Sequence, residues 1–366
     1  MSAARAPRRP AVARRVAVPV AVAGWAAAAV AWRRYLASLA PELGGEPMRA
    51  TTDDGWHLGM SRYRVPAGTE RRGVVVAGHG FAGTSLIWDL APSVSLARYL
   101  AVAGWEFFSV DLRGRGSSWP VGGPSPRLQW SFDDLVDHDL PTAVAAACDA
   151  AEVDRACVVG LEMSGQALYA ALADGTVPQV CAGVTLGAPA VTPPGALVPG
   201  VTSSPQLRMG GRVLLRPGAR HAGPVLALLR SQQLASSFRP ELVDPLVPAR
   251  YLRHGVPDES VVLADQFADW VEHATMRSLD HRRVWSDRLG DVDVPLLLLA
   301  GAADLQRPPD AVRATAEALG SAEARFRELG VSGGLPADHG HDDVVGARTA
   351  PRDVYPLVLD WLDRHG

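Results

Sequence analysis

Short runs of consecutive apolar residues alternate along most of this chain with longer stretches in which apolar positions recur at helical spacing. The runs Gly73-Val74-Val75-Val76-Ala77, Phe107-Phe108-Ser109-Val110-Asp111, Ala156-Cys157-Val158-Val159, Cys181-Ala182-Gly183-Val184-Thr185-Leu186 and Val294-Pro295-Leu296-Leu297-Leu298-Leu299-Ala300 are too short and too uniformly apolar for one-faced strands. They read as strands buried on both faces. Residues 132–149 and 165–173 carry helical patterns between them. From about Met48 the order therefore predicts an α/β fold, a mostly parallel sheet with helices on both faces.

Two regions break the alternation. Residues 188–290 open on a Pro/Gly-rich piece and continue as helical segments containing Phe267, Trp270 and Trp285. An insertion of this size between two strands reads as a helical cap over the strand C-terminal ends, where ligands bind in such sheets. The core is then 47–187 plus 291–366. Residues 1–41 carry seven arginines and no acid, around an apolar stretch at 16–32 bracketed by Arg14-Arg15 and Arg33-Arg34. Seventeen residues is the short limit for crossing about 30 Å of hydrocarbon. The segment is expected to be a membrane anchor, with a cleaved export signal (Ala29-Val30-Ala31 as the cleavage site) and an idle extension as alternatives. Five arginines before the stretch and two after place the globular part outside the cytoplasm if it is anchored.

Composition narrows the chemistry. At 366 residues the chain is long enough for one large domain with an insertion. A net charge of −3 gives no electrostatic footprint for nucleic acid. All 36 basic residues are arginine, which removes Schiff-base chemistry. Cys148, Cys157 and Cys181 lie in apolar runs without metal spacing. No metal or organic cofactor is implied.

The decisive motif is Gly160-Leu161-Glu162-Met163-Ser164-Gly165, at the end of one strand and the start of a helical pattern. A sharp strand-to-helix turn needs small residues two before and two after its centre, since larger ones collide with the neighbouring backbone. Gly160 and Ser164 satisfy this and make Glu162 the centre, where serine stands in the G-x-S-x-G form. Centring the turn on Ser164 would put Glu162 and Gln166 at the small positions, which fails sterically.

Four further motifs follow in order: the turn Gly78-His79-Gly80-Phe81-Ala82-Gly83 after a strand, Asp111-Leu112-Arg113-Gly114-Arg115-Gly116-Ser117-Ser118, Gly301-Ala302-Ala303-Asp304, and Gly340-His341-Asp342-Asp343 before a C-terminal helix at Arg352–Arg364. Together the five resemble the α/β-hydrolase superfamily over residues 50–365, and within it the bacterial lipases and esterases. The resemblance implies a catalytic set of Glu162, Asp304 and His341 in the order nucleophile, acid, histidine. It also implies an oxyanion and substrate-binding region at His79, Gly80, Phe81, Ala82 and Met163, with backbone N–H donors from Phe81 or Ala82 and from Met163, and an apolar small-molecule substrate. The turn at 111–118 is expected to be structural, shaping a loop near the site.

Glutamate in place of serine leaves three readings. As nucleophile, a carboxylate suits alkyl transfer, as aspartate does in the superfamily's epoxide hydrolases and haloalkane dehalogenases. This chain lacks those families' marks: the cap has only Tyr251 where epoxide hydrolases pair two tyrosines, Ala82 replaces the proline of their H-G-x-P turn, and Met163 replaces the tryptophan that follows the dehalogenase nucleophile. As general base beside His341, Glu162 suits a lyase, isomerase or cyclase. The third reading is an inactive relative that binds a ligand or partner.

Overall fold

The computed structural model describes residue 25 and residues 27–123, 129–191 and 204–366. It divides into two compact units, Met1–Ala40 and Pro41–Gly366. In the first, residues 27–38 are helical. Most of the apolar stretch expected at 16–32 lies outside the described residues, and among those described no helix is long and apolar enough to cross a membrane.

The second unit is built on one sheet. Its strands are β1 (Glu46–Thr51), β2 (Trp56–Tyr63), β3 (Gly73–Gly78), β4 (Trp105–Val110), β5 (Ala156–Leu161), β6 (Val180–Leu186), β7 (Leu296–Gly301) and β8 (Ala324–Leu329), in spatial order β1-β2-β4-β3-β5-β6-β7-β8, with the two-residue strand Trp119–Pro120 pairing β2. β2 runs antiparallel to both of its neighbours, β1 and β4, and the pairs from β4 to β8 are parallel. The uniformly apolar runs are the central strands, and their alternate residues serve two cores: Val74 and Val76 of β3 pack on one face, Val75 and Ala77 on the other. β1 and β8 escape recognition as runs because, on the sheet margins, they carry exposed polar residues.

Helices α1 (Leu96–Val102), α2 (Leu140–Ala151), α3 (Met163–Asp174), α4 (Arg216–Leu228), α5 (Leu246–His254), α6 (Val261–His273), α7 (Pro309–Ala318) and α8 (Tyr355–His365) complete the layers. Two of the expected helices are interrupted where proline has no N–H to give. The 132–149 pattern begins as Phe132–Asp134, widens into a π turn over Leu135–Asp139, and becomes α-helical at Leu140 with Pro141 in its first turn. The C-terminal helix expected at Arg352–Arg364 is two helices, Ala350–Asp353 and α8, because the Pro356 ring would meet the carbonyl of Arg352 in a continuous one.

The insertion between β6 and β7 has two roles. Its first described part, with α4 and α5, stands at the strand C-terminal ends. Its second part packs into the sheet's own core: Phe267, Trp270 and Trp285 form an edge-to-face aromatic cluster with Phe132. Such pairs contribute about 0.5–1.5 kcal/mol each beyond area burial.

Candidate active site

The elbow is built by close approach of backbones. A Cβ on Gly160 would stand 2.5 Å from the amide nitrogen of Gly165, so β5 and α3 meet with no room for a side chain. Between them Glu162 takes φ 48° and ψ −108°, a positive-φ conformation costing a non-glycine residue about 1–3 kcal/mol. Its N–H donates to the Leu186 carbonyl at 2.8 Å, which fixes the turn to β6. Ser164 is buried beneath the glycine-rich turn and gives its hydroxyl proton to the His79 carbonyl. It faces no cavity.

The Glu162 side chain folds back over that turn. Its Oε2 accepts the Phe81 backbone N–H at 2.8 Å, the donor expected to hold a substrate oxyanion. Its Oε1 accepts from Arg307 Nη2 in a buried ion pair. The other expected donor, the Met163 N–H, heads α3, where no intrahelical acceptor exists. The Met163 side chain points into the core and its sulfur meets Arg115.

Arg307 is the residue the motifs did not announce. It lies three residues after Asp304 and is almost fully buried, with its backbone N–H donating to Asp304 Oδ1 at 2.8 Å. Its Nε has no partner among the described residues. One signal was present: in a loop entering the site, a lone arginine before Pro308-Pro309 is a long cation next to the acid of the set.

Asp304 and His341 do meet. Oδ2 of Asp304 lies 2.7 Å from His341 Nδ1, while its Oδ1 accepts the N–H groups of Gln306 and Arg307 at 2.8 Å each. Burial pulls the imidazole toward neutrality, but the Asp304 carboxylate, with Asp342 and Glu162 beyond it, outweighs that and raises His341 to about 9. Burial, helped by the charges of Glu162 and Asp304, likewise lifts Asp342 to about 6 against the pull of His341. Among the described residues no hydrogen bond joins Glu162 to His341.

His79 differs from its expected place in the substrate region. Its ring is fully buried between two loops: Nε2 accepts the Leu112 N–H at 3.1 Å and Nδ1 donates to the Gly80 carbonyl at 2.9 Å. Burial, then the charge of Arg115, holds it neutral by lowering it to about 3. The D-x-R-G-x-G turn is structural, as expected. Arg115 makes a bidentate buried pair with Glu259 of the insertion at 2.9 and 2.7 Å, and Arg113 pairs with Asp139 and Asp54.

These groups open on a cavity of about 320 Å³. Gly80, Phe81, Ala82, Glu162 and His341 line its floor, and Leu215, Phe238, Tyr251, Leu252 and Val256 of the insertion line its walls. A hollow with apolar walls that also presents Glu162, Ser236, Ser237, Gln306, His341 and Asp342 suits a largely apolar small molecule with polar functions.

A family profile described as serine aminopeptidase, S33, matches residues 69–329. The chain belongs to that family. Among solved structures, this S33-family chain is similar to a membrane phospholipase A described as a bacterial virulence factor (18% identity, TM-score 0.55, 96% of each chain covered). It is also similar to a soluble variant of monoglyceride lipase from Saccharomyces cerevisiae (17%, TM-score 0.58, 89% of this chain and 97% of that one) and to a thermophilic esterase from Thermogutta terrifontis (18%, TM-score 0.55, 88% and 100%). At these identities the likeness establishes the fold, an α/β-hydrolase fold. No curated protein matches the sequence.

Proposed function

We propose that this lipase/esterase-like α/β-hydrolase binds an apolar small molecule in the cavity beneath α4 and α5 and carries out no nucleophilic transfer through residue 162. One observation carries the reading: both oxygens of Glu162 are committed, one to the Phe81 N–H and one to Arg307. A serine ester's oxyanion would need the N–H that the carboxylate already holds. An attacking carboxylate would need an oxygen free of the guanidinium, and a general base would need to shed its pairing with a cation. Each alternative at residue 162 is opposed by the same two contacts.

A second reading rests on a different observation. The His341–Asp304 pair is intact, and the imidazole lines the cavity. The dyad could therefore move a proton in a water-mediated or isomerising reaction without help from Glu162.

Purified protein assayed on short-chain and medium-chain p-nitrophenyl esters, an alkyl epoxide and an alkyl halide separates these. The expected result is no turnover above background in the native chain, with esterase activity appearing in the double variant E162S/R307Q, which restores a hydroxyl and clears the buried cation. Native turnover abolished by Glu162→Gln would overturn the proposal. Turnover that survives Glu162→Gln and disappears in His341→Ala would establish the second reading.

A further inference from the structure

At the opposite end of β5 from Glu162, about 16 Å away at 3.3 Å per residue, two thiols meet. Cys157 is the second residue of β5 and Cys181 the second of β6, and their sulfurs lie 3.7 Å apart. Regular parallel pairing would not bring them together, because Cys157 sits opposite Ala182 and successive residues face opposite sides. The register shifts between Ala156 and Cys157: Ala156 pairs with Val180 and Cys157 with Ala182, so Cys181 is an extra, bulged residue. The bulge turns Cys181 to the same side of the sheet as Cys157.

The pair opens on a separate hollow of about 390 Å³, lined among others by Arg72, Trp105, Asp154 and Arg155. Cys157 is buried and Cys181 partly exposed, so an incoming reagent reaches Cys181 first. The thiolate of Cys181 is favoured by the hydrogen bond from Cys157, against its partial burial, and by the Arg155 charge, which together bring it down to about 7. Cys157, hydrogen-bonded to Cys181 and buried, is pushed the other way, and Cys181 in its thiol form gives its proton to the Ala156 carbonyl at 3.5 Å. This is the asymmetry of an attacking and a resolving thiol. Cys148 packs in the core on the other face of the sheet and takes no part.

We propose that Cys181 and Cys157 form a peroxide-reactive dithiol site, separate from the cavity at Glu162. The Cys181 thiolate attacks one oxygen of a hydroperoxide, the O–O bond breaks, and the leaving oxygen takes a proton from solvent to depart as water or an alcohol. Cys181 is then a sulfenic acid. The Cys157 sulfur attacks Cys181 Sγ, the S–O bond breaks, and the hydroxyl leaves as water with the Cys157 proton. One disulfide forms, and the thiols lose two electrons to the peroxide. Closing 3.7 Å to the bonding distance of about 2.05 Å requires a side-chain movement of under 2 Å.

The full chain, reduced and then treated with a few equivalents of hydrogen peroxide, tests this by intact mass and peptide mapping. The expected product has lost two hydrogens, carries a Cys157–Cys181 cross-link and regains its thiols with dithiothreitol. Cys157→Ser is expected to stall at a sulfenic acid on Cys181 that dimedone traps, while Cys181→Ser leaves Cys157 unreacted on the same timescale. In the native chain monobromobimane is expected to label Cys181 at least about tenfold faster than Cys148. Oxygen added at Cys181 without a cross-link, first reaction at Cys157, or equal labelling of Cys181 and Cys148 would each overturn the proposal. Circular dichroism of both serine variants excludes misfolding as the cause of any loss.

Discussion

At the scale of single residues, the centre of the site is a charge pair. Removing one member of a buried pair leaves the other uncompensated, which costs about 3–5 kcal/mol, whereas replacing both by uncharged groups of similar size is close to neutral. Arg307→Met is therefore expected to lower the urea midpoint strongly, and E162Q/R307M to recover most of that loss. The double-mutant cycle measures the coupling directly. His341 offers a pH test. Its folded value of about 9 lies above the unfolded value of about 6.5, so its stabilisation is complete below pH 6.5 and is lost as pH rises through 9. The amount is on the order of 3 kcal/mol. Asp304→Asn should remove that slope in urea melts taken from pH 6 to pH 10. An unchanged slope would show that the imidazole is not charged by Asp304.

At the scale of elements, the motifs are legible in the sequence wherever backbone crowding dictates it. Gly160 is needed by the Gly165 backbone and Gly78 by the Ser164 hydroxyl, so the spacing of glycine and serine is enough to mark the elbow. Gly160→Ala should prevent the strand and helix from docking, giving insoluble or molten protein, since the obstacle is main chain and cannot rotate away. The contacts of longer side chains are not legible in the same way. Glu162 could be placed at the turn, but that it curls back to the Phe81 N–H depends on Arg307, 145 positions away and outside any motif. His79 illustrates the same limit: adjacent to the turn in sequence, it points inward because Leu112 offers its N–H there. The insertion is visible as a break in the pattern. Its division is not, because the aromatic residues of α6 and Trp285 look alike whether they cover a ligand or extend the core.

At the scale of the molecule, the sheet places two kinds of chemistry at opposite strand ends, and the insertion roofs only one of them. If the 320 Å³ hollow is the ligand site, a saturating apolar ligand should stabilise the chain by RT ln(1 + [L]/Kd), about 2.7 kcal/mol at a hundredfold excess over Kd. That would raise Tm by roughly 3–4 °C. Phe238→Arg, which puts a charge into the wall, should abolish the rise. The arginine-flanked segment gives a second test at this scale: the full chain is expected to sediment with membranes and residues 41–366 to remain in the supernatant. Equal partition of both would remove the anchor from consideration.

The pairing of Glu162 with Arg307 also bears on the history of this site. A single change of the glutamate to serine leaves a guanidinium stranded in the interior, and a single change of Arg307 strands the carboxylate. Each one-step route toward an ordinary serine hydrolase thus crosses a less stable intermediate. Once such a pair is established in a lineage it acts as a ratchet, and the strained turn persists because its occupant is locked in place by the guanidinium.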